Sequence, residues 1–440
     1  MRSRVLALGA LALSGGLAWL AIVNVLAARA LQALIVTSIG YVSYLAWRGW
    51  HAIRDARASA APLRGSLPWV TVVVPARDEE TVIADVVADV LAQEYADESG
   101  PRFDVLVVDD GSADGTADAA RDAAGAGPAA AEARFDVVRR EPGRGPRTKG
   151  AALAFAHPHV RGEVVAVVDA DSMLAPEYLA VAMSGWARDP TAAALQTRRA
   201  ELNAGRGWLQ AAQDEEQLMD LASQCGRWVT DGTAELRGTG MFLRRATLEA
   251  VGGWDPLALT EDLEISTRLA AAGERITIAP EAVVREEAVE RIGALWAQRM
   301  RWAEGSVRRL IDHGPRLLAG ARLPLKKRVD FLVFTTEFVV PPLFLASIAA
   351  GLITILLPQP ADWTVPVTLF IGYGLGTFLL AAAGLAATGT HGWQVVGRAT
   401  RGSLFLSHWL LVVPLALLKI AIGPPSREFA RTPRAPHRDR

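Results

Sequence analysis

Long apolar runs stand at both ends of this 440-residue chain, and short apolar runs alternate with helix-forming stretches between them. The first two apolar runs, residues 5–25 and 30–47, are each about long enough to cross a membrane, with a bend between them at residues 27–29. They predict a transmembrane hairpin over residues 1–50. A cleaved signal peptide is the alternative, because Arg2 and Arg4 give a basic start and residues 28–30 could form a cleavage site. The hairpin is preferred because the second run follows the first at once.

Three further apolar segments lie near the C-terminus, at residues 331–357, 365–387 and 404–422, so residues 329–425 are predicted to form transmembrane helices. Pro414 and Lys419 interrupt the third segment. If all three segments crossed the membrane, the arginine-rich tail at 426–440 would lie outside, against the positive-inside tendency. We therefore expect the third segment to be re-entrant or to lie at the membrane interface.

Between these ends, residues 69–287 alternate valine-rich runs with alanine-rich stretches of helical composition. The runs WVTVVVP, FDVLVVDD, RFDVVRR and EVVAVVDAD each precede a polar turn. Such near-continuous apolar strands predict a mostly parallel α/β sheet that is covered on both faces. Ligands of these sheets bind at the carboxyl ends of the strands. Three acidic motifs fall at those ends, at residues 77–80, 109–112 and 169–171.

Composition indicates a membrane protein with a domain in a reducing compartment. Hydrophobic residues make up 51% of the chain and the mean hydropathy is +0.21, which is high for an ordinary soluble protein. Cys225 is the only cysteine, which excludes an internal disulfide and a cysteine-based zinc site. The predicted basic linker at 51–68 places the following domain in the cytoplasm. We expect a multi-pass protein of the cell membrane.

Asp169 and Asp171 are two residues apart at the end of a predicted strand, so both carboxylates point to the same side of the sheet. A Mg²⁺ or Mn²⁺ ion bound by one or two carboxylates completes its shell with phosphate oxygens and water. The pair therefore predicts a divalent metal held against a diphosphate. The alternative is structural, because aspartate is common in turns at strand ends.

Thr260, Glu261 and Asp262 open a predicted helix and allow two interpretations. In the structural one, Thr260 caps the helix and the acidic first turn complements the helix dipole, which is worth about 0.3–1 kcal/mol. In the catalytic one, Asp262 is a general base. The two interpretations are compatible.

Residues 288–314 carry apolar side chains at helical spacing, with arginines between them. A basic amphipathic helix can lie on an anionic membrane surface. Residues 288–328 are therefore predicted to form interfacial helices, with Trp296 and Val307 directed toward lipid. The alternative is a surface helix of a soluble domain.

The order of these motifs resembles the membrane-bound family 2 glycosyltransferases. The likeness covers about residues 69–311 and rests on the segments VVVPARDEE, VVDDGSADGT, RTKGAAL, VVDAD, LRGTGM, TEDLE and QRMRW. It implies a GT-A fold, a Rossmann-like cytoplasmic domain inserted between N-terminal and C-terminal transmembrane helices. Ala154 stands where relatives often carry an asparagine, so one polar contact of the family is not expected here.

The resemblance also implies roles for individual residues. Asp262, with Glu261 beside it, takes the proton of the acceptor hydroxyl in one inverting displacement, and Asp169 and Asp171 hold Mg²⁺ or Mn²⁺. Nucleotide-sugar contacts are implied for Pro75, Arg77, Glu79, Asp109 or Asp110, Lys149 and Asp169. Diphosphate or acceptor contacts are implied for Gly238, Thr239, Gly240, Gln298, Arg299, Arg301 and Trp302.

Three functional classes remain open. The first transfers glucose or N-acetylglucosamine from a UDP-sugar to a membrane lipid such as diacylglycerol, because QRMRWAEG and VDFLVFTTEFVVPP look most like the bacterial β-monoglucosyldiacylglycerol synthases. The second is a processive synthase of the cellulose, hyaluronan or poly-N-acetylglucosamine type, although few helices are available to enclose a polymer. The third is a non-catalytic membrane scaffold, which the intact motifs disfavour. The expected partners are a UDP-sugar, a lipid or growing glycan, and the bilayer, and no nucleic acid.

Overall fold

The computed structural model describes residues 2–58, 67–126, 134–143, 145–320, 323–356 and 363–423. The predicted basic tail and residues 59–66 of the predicted linker lie outside this set. The strands of the central sheet are β1 (Val70–Ala76), β2 (Phe103–Asp109), β3 (Phe135–Arg139), β4 (Val164–Val167), β5 (Met173–Leu174), β6 (Ala194–Glu201), β7 (Met241–Arg244) and β8 (Ile276–Glu286). They are arranged in the order β3-β2-β1-β4-β7-β6-β8-β5.

All four predicted strands are present, as β1 to β4. β1 pairs in parallel with β2 and β4, β2 with β3, and β6 with β8. β7 is antiparallel to both of its neighbours, and β5 is antiparallel to β8. The sheet is therefore mostly parallel, as predicted, and the carboxyl ends of β1, β2, β4, β6 and β8 meet at one edge.

Helices cover both faces of the sheet. The helices are α1 (Arg2–Val23), α2 (Val25–Ala58), α3 (Ile83–Leu91), α4 (Thr116–Gly125), α5 (Lys149–Ala156), α6 (Tyr178–Ala187), α7 (Trp208–Val229), α8 (Arg245–Ala250), α9 (Glu261–Ala272), α10 (Ile292–Ala319), α11 (Leu325–Thr335), α12 (Val340–Thr354), α13 (Thr364–Ala387), α14 (Trp393–Leu406) and α15 (Trp409–Ile422). Apolar side chains of α3, α4 and α6 pack on one face. Those of α5, α7 and α9 pack on the other face.

The core on this second face continues into the terminal helices. Ile53 of α2, Leu385 of α13 and Ala399 of α14 belong to the same buried apolar cluster as α7. Glycines allow backbone contact there: a Cβ atom at Gly226 of α7 would lie 2.3 Å from the Leu45 carbonyl oxygen, and one at Gly384 would lie 2.1 Å from that of Leu218. The backbone of α7 in the central domain therefore packs directly against the backbones of α2 and α13.

The first two helices differ from the sequence prediction in two respects. The break between them lies at Asn24, because α2 already begins at Val25, and not at residues 27–29. α2 also continues to Ala58, so the predicted linker begins as a helix. Packing of α2 on α7 explains the extension, because the helix gains buried contacts beyond its apolar run.

Among the described residues, four helical segments are long and apolar enough to cross a membrane: Ser3–Val23, Val25–Ala58, Thr364–Ala387 and Trp393–Ile422. Leu325–Phe338 and Val340–Thr354 form a fifth candidate that is bent by 47°. The predicted continuous span at 331–357 is thus broken, at a short 3₁₀ turn over Thr336–Phe338. The predicted segment at 404–422 is the second half of a longer candidate, and its re-entrant character stays a prediction.

Candidate active site

The loops after β1 and β2 are joined by hydrogen bonds at the carboxyl edge of the sheet. The Asp78 N–H donates to Ser112 Oγ at 3.0 Å, and the Glu79 N–H donates to Thr116 Oγ1 at 2.9 Å. Asp78 has a φ of 54°, a left-handed conformation that aspartate tolerates better than most residues. Pro75 and Arg77 flank this turn and are half-buried. The loops form one rigid unit where the sequence predicts the nucleotide.

Asp109 and Asp110 have different surroundings. Asp109 is fully buried, and its carboxylate accepts from the Ser112 N–H at 2.8 Å and lies 3.3 Å from Arg139 Nε. Asp110 is paired with Arg140. The two arginine partners, Arg139 and Arg140, both line a cavity of about 450 Å³. Asp109 is therefore enclosed and stabilises the loop, whereas Asp110 is only half-buried.

Lys149 connects the acidic turn after β4 to the acidic start of α9. Its ammonium group is hydrogen-bonded to Asp169 and lies 3.3 Å from a Glu261 carboxylate oxygen. Burial alone would lower the pKa of Lys149, but Asp169 and Glu261 together raise it above its usual value. Lys149 is therefore a fixed positive charge between the end of β4 and the start of α9.

Asp262 lies beside this lysine in a protected position. One carboxylate oxygen accepts from the Leu263 N–H at 2.8 Å. The other faces Gly238, where an added Cβ atom would lie 3.5 Å from Asp262 Oδ2 and 3.8 Å from Lys149 Nζ. Burial raises the pKa of Asp262. Burial also raises the pKa of Glu261, to about 7. A half-buried carboxylate with a raised pKa beside a glycine has the properties of a general base with room for a hydroxyl group.

Thr239 and Gly240 follow Gly238 in the chain and are buried. Thr239 Oγ1 accepts from the Asp169 N–H at 3.1 Å and is hydrogen-bonded to Ser172 at 3.0 Å. Gly240 has a φ of +67°, and a Cβ atom there would lie 2.2 Å from Thr197 Oγ1. Both residues are buried, so they support the turn that carries Asp169, and only Gly238 of the three borders the space at Asp262.

Asp171 is 1% exposed at the turn that follows β4. The described residues contain no group of three or more histidine, cysteine, aspartate or glutamate side chains that could hold a metal by themselves. Two carboxylates at this turn nevertheless suit an ion that takes its remaining ligands from phosphate and water. The donor set thus fits a divalent ion shared with a diphosphate.

Helix α9 is held in place by α10. A Cβ atom at Gly305 of α10 would lie 2.6 Å from Thr260 Cγ2, so Thr260 packs on α10 and makes no capping hydrogen bond through its side chain. Glu264 pairs with His313 at 3.1 Å and with Arg268 at 2.6 Å. The expected cap at Thr260 is therefore absent, and packing on α10 orients the first turn of α9.

Arg299, Arg301 and Trp302 lie on α10 one turn before Gly305. Arg299 is 1% exposed, is paired with Glu216 of α7, and stacks on the Trp302 ring at 4.1 Å. Arg301 is also buried, while Gln298 and Trp302 are half-buried. One face of Trp302 is therefore covered by Arg299.

Two side chains of α10 that the pattern directs toward lipid, Trp296 and Val307, have different surroundings. Val307 is 5% exposed and packs against α1 and α15, so it does not face lipid. Trp296 is 38% exposed. Arg309 is buried and donates to Glu235 at 2.6 Å. The middle of α10, residues 299–309, is thus mostly buried between the central domain and the terminal helices, whereas Ile292 and Trp296 near its start are exposed.

An ion-pair network that the sequence does not predict supports the site. Arg237 donates to both Asp220 oxygens at 2.9 Å and to Glu235 at 3.1 Å. Arg227, fully buried, pairs with Glu235 at 3.4 Å and with Asp330 of α11 at 3.1 Å. Burial would raise the pKa of Glu235, but Arg309, Arg227 and Arg237 hold it well below its usual range. No local motif marks these residues, because their partners are distant in the chain.

Known proteins resemble this chain over much of its length. The profile of the family described as Glycosyltransferase like family 2 matches residues 68–305. The chain is 30% identical to a beta-monoglucosyldiacylglycerol synthase of Synechocystis sp., over 83% of this chain and 74% of that protein. It is 25% identical to a poly-beta-1,6-N-acetyl-D-glucosamine synthase of Staphylococcus aureus, over 59% of this chain and 60% of that protein.

Among solved structures, the mannosyltransferase PcManGT from Pyrobaculum calidifontis, in complex with GDP-Man and Mn²⁺, superimposes with a TM-score of 0.56. The match covers 88% of this chain and 99% of that chain at 21% identity. The shared feature is the GT-A fold, with its mostly parallel sheet.

Proposed function

Since this chain belongs to the family 2-like glycosyltransferases, we propose that it transfers a hexose, glucose or N-acetylglucosamine, from a UDP-sugar to a membrane lipid such as diacylglycerol. One observation supports the choice of a lipid acceptor over a polysaccharide. The likeness to the diacylglycerol-glucosylating relative spans 83% of the chain, well beyond the family segment at 68–305 and into the apolar helices. The likeness to the polysaccharide synthase covers only 59%.

The proposed chemistry is a single displacement at the anomeric carbon. Asp262 accepts the proton of the acceptor hydroxyl while the new carbon–oxygen bond forms, and the bond to the UDP oxygen breaks on the opposite side, so the product is a β-glycolipid. The raised pKa of Asp262 makes it a stronger base than an ordinary aspartate. Gly238 leaves room for the hydroxyl beside Asp262. Lys149 offsets negative charge on the diphosphate.

Asp171, with Asp169, would hold Mg²⁺ or Mn²⁺ against the diphosphate. When bound, such an ion stabilises the charge that develops on the leaving nucleotide. The Mn²⁺ in the mannosyltransferase of the same fold supports this proposal. Removal of divalent ions with excess EDTA should abolish transfer, and Asp171→Asn should remove most of it. Full activity in EDTA would contradict the metal role.

Donor binding is proposed for the loops after β1 and β2. Pro75, Arg77 and Glu79 lie along the nucleotide, and Asp110 is favoured over Asp109 for the base because Asp109 is enclosed. Arg301, Trp302 and Gln298 are proposed on the acceptor side. The domain is proposed to face the cytoplasm, where UDP-sugars are made, in a cell membrane crossed by the apolar helices.

The decisive experiment uses purified protein, radiolabelled UDP-glucose or UDP-N-acetylglucosamine, and vesicles with or without diacylglycerol. Label that moves into the organic phase only with diacylglycerol supports the proposal. Label in an aqueous product of high mass identifies a polysaccharide synthase instead. Asp262→Asn is the matched inactive control.

A further inference from the structure

A mixed cluster of charges lies at the carboxyl ends of β6 and β8, outside the predicted motifs. Arg199 and Glu201 are two residues apart on β6 and share one face of the sheet. Glu201 lies opposite Glu286 in the register of β6 and β8. Arg199 Nη2 donates to Glu286 Oε2 at 2.9 Å, and Gln217 of α7 donates to Glu201 at 3.1 Å. We call Arg199, Glu201 and Glu286 the β6–β8 cluster.

The β6–β8 cluster lies next to the proposed site of transfer. Val284 of β8 is opposite Arg199 on one side and Leu174 of β5 on the other, so the three lie in one row across the sheet. β5 begins two residues after Asp171. Arg199 also interacts electrostatically with Asp169 and with Asp262. Arg199 is therefore within electrostatic range of both Asp169 and Asp262, between which the hexose is proposed to lie.

Several polar atoms of this region are buried and have no hydrogen-bond partner among the described residues. They are Arg199 Nε, Glu286 Oε1, and Nε and Nη1 of Arg299, which is 1% exposed and interacts electrostatically with Arg199 and Glu201. Burying a polar atom without a hydrogen-bond partner costs free energy. Donors and acceptors alternate here, which matches hydroxyl groups, because each hydroxyl both donates and accepts. The arginines disfavour a metal ion, and the glutamates disfavour an anion.

Glu201 adds a further donor. Burial raises the pKa of Glu201 to about 8, and the neighbouring Glu286 adds to the rise. At neutral pH Glu201 is therefore mostly protonated, and its O–H group can donate a hydrogen bond.

We propose that the β6–β8 cluster binds hydroxyl groups of the transferred hexose and thereby selects the donor sugar. This inference rests on the proposed function. A site built to hydrogen-bond a hydroxyl discriminates strongly against sugars that lack it or carry it in the other orientation, because its own polar groups are then left unpaired.

The test compares wild-type protein with Glu286→Gln and the isosteric Glu201→Gln, using UDP-glucose, UDP-galactose and UDP-N-acetylglucosamine. Glu286→Gln should change the ratio of kcat/KM between the best and second-best donor by at least about tenfold. The inhibition constant of UDP, which carries no hexose, should stay unchanged. Glu281→Gln is the control, because Glu281 also lies on β8 and pairs with Arg188 at 2.6 Å, away from the site.

Three results would overturn the inference. The first is an unchanged ratio of kcat/KM between donors in both variants. The second is an equal loss of kcat/KM with every donor together with weaker inhibition by UDP, which would indicate a structural role. A loss of transfer to lipid with unchanged hydrolysis of the donor by water would assign the cluster to the acceptor. If wild-type protein turns over none of these donors, the proposed function itself fails.

Discussion

The donor side and the acceptor side of the proposed site are held together in different ways. On the donor side, Asp78 meets Ser112 and Glu79 meets Thr116, partners 34 and 37 positions apart that lie in neighbouring strand-end loops. On the acceptor side, Arg227 meets Asp330 across 103 positions and Arg401 meets Glu215 across 186. The donor-side loops are thus joined within the central domain, whereas these two pairs join α7 to the terminal helices α11 and α14.

The largest effect is expected at Asp262, where the two sides meet. Asp262→Asn should keep the affinity for the UDP-sugar and lower transfer by about 10²-fold to 10⁴-fold, the range for a removed general base. Isothermal titration with UDP-sugar and a transfer assay separate the two quantities. Asp255→Asn, in the loop before α9, is the control and should remain active. Loss of nucleotide binding in Asp262→Asn would show that the residue is structural.

A second large effect should appear on the acceptor side at Asp330, which is fully buried. Asp330→Asn leaves Arg227 without a full counter-charge, so we expect a loss of about 3–5 kcal/mol of unfolding free energy. Thermal unfolding in detergent measures it. The donor-side control is Asp118→Asn, which breaks an exposed pair with Arg121 and should cost less than about 1 kcal/mol. Equal losses of unfolding free energy in the two variants would show that the donor side and the acceptor side do not differ in this way.

The backbone contact between α7 and α2 offers a smaller, steric test. Gly226→Ala places a methyl group 2.3 Å from the Leu45 carbonyl oxygen, so the helices must separate, at a cost of about 1–3 kcal/mol. Gly125→Ala, at the end of α4 with nothing within 4 Å of its added Cβ, should be neutral or stabilising. Unfolding curves of the two variants should therefore shift differently. A stable Gly226→Ala protein would argue against close packing of α2.

The smallest expected effect concerns pH. Lys149 lowers the pKa values of Glu261 and Asp262, although burial keeps both of them raised. Because a base acts when deprotonated, Lys149→Gln should move the acidic limb of the kcat/KM profile to higher pH, by about one unit. Arg268→Gln, which faces Glu264, should leave the limb in place. A shift to lower pH would contradict the assignment of Asp262 as the base.

Several parts of the site could be predicted because their signal is local. Valine-rich runs followed by acidic turns gave β1 to β4 and the positions of Asp110 and Asp169, since adjacent parallel strands bring their carboxyl ends together. The Thr260-Glu261-Asp262 segment was correctly predicted to begin a helix. The sequence alone also identified the family, because the order of the motifs along the chain does not depend on how the chain packs.

The tertiary structure decided what depends on partners distant in the chain. Helical periodicity predicted that Val307 of α10 faces lipid, but a helix pattern does not say what covers each face, and Val307 proved to be buried against α1 and α15. Arg199 and Glu286 look in the sequence like ordinary polar ends of two strands, and only the sheet register brings them together. Charge pairs of this kind form only after folding has joined remote segments, so no local pattern of residue types encodes them.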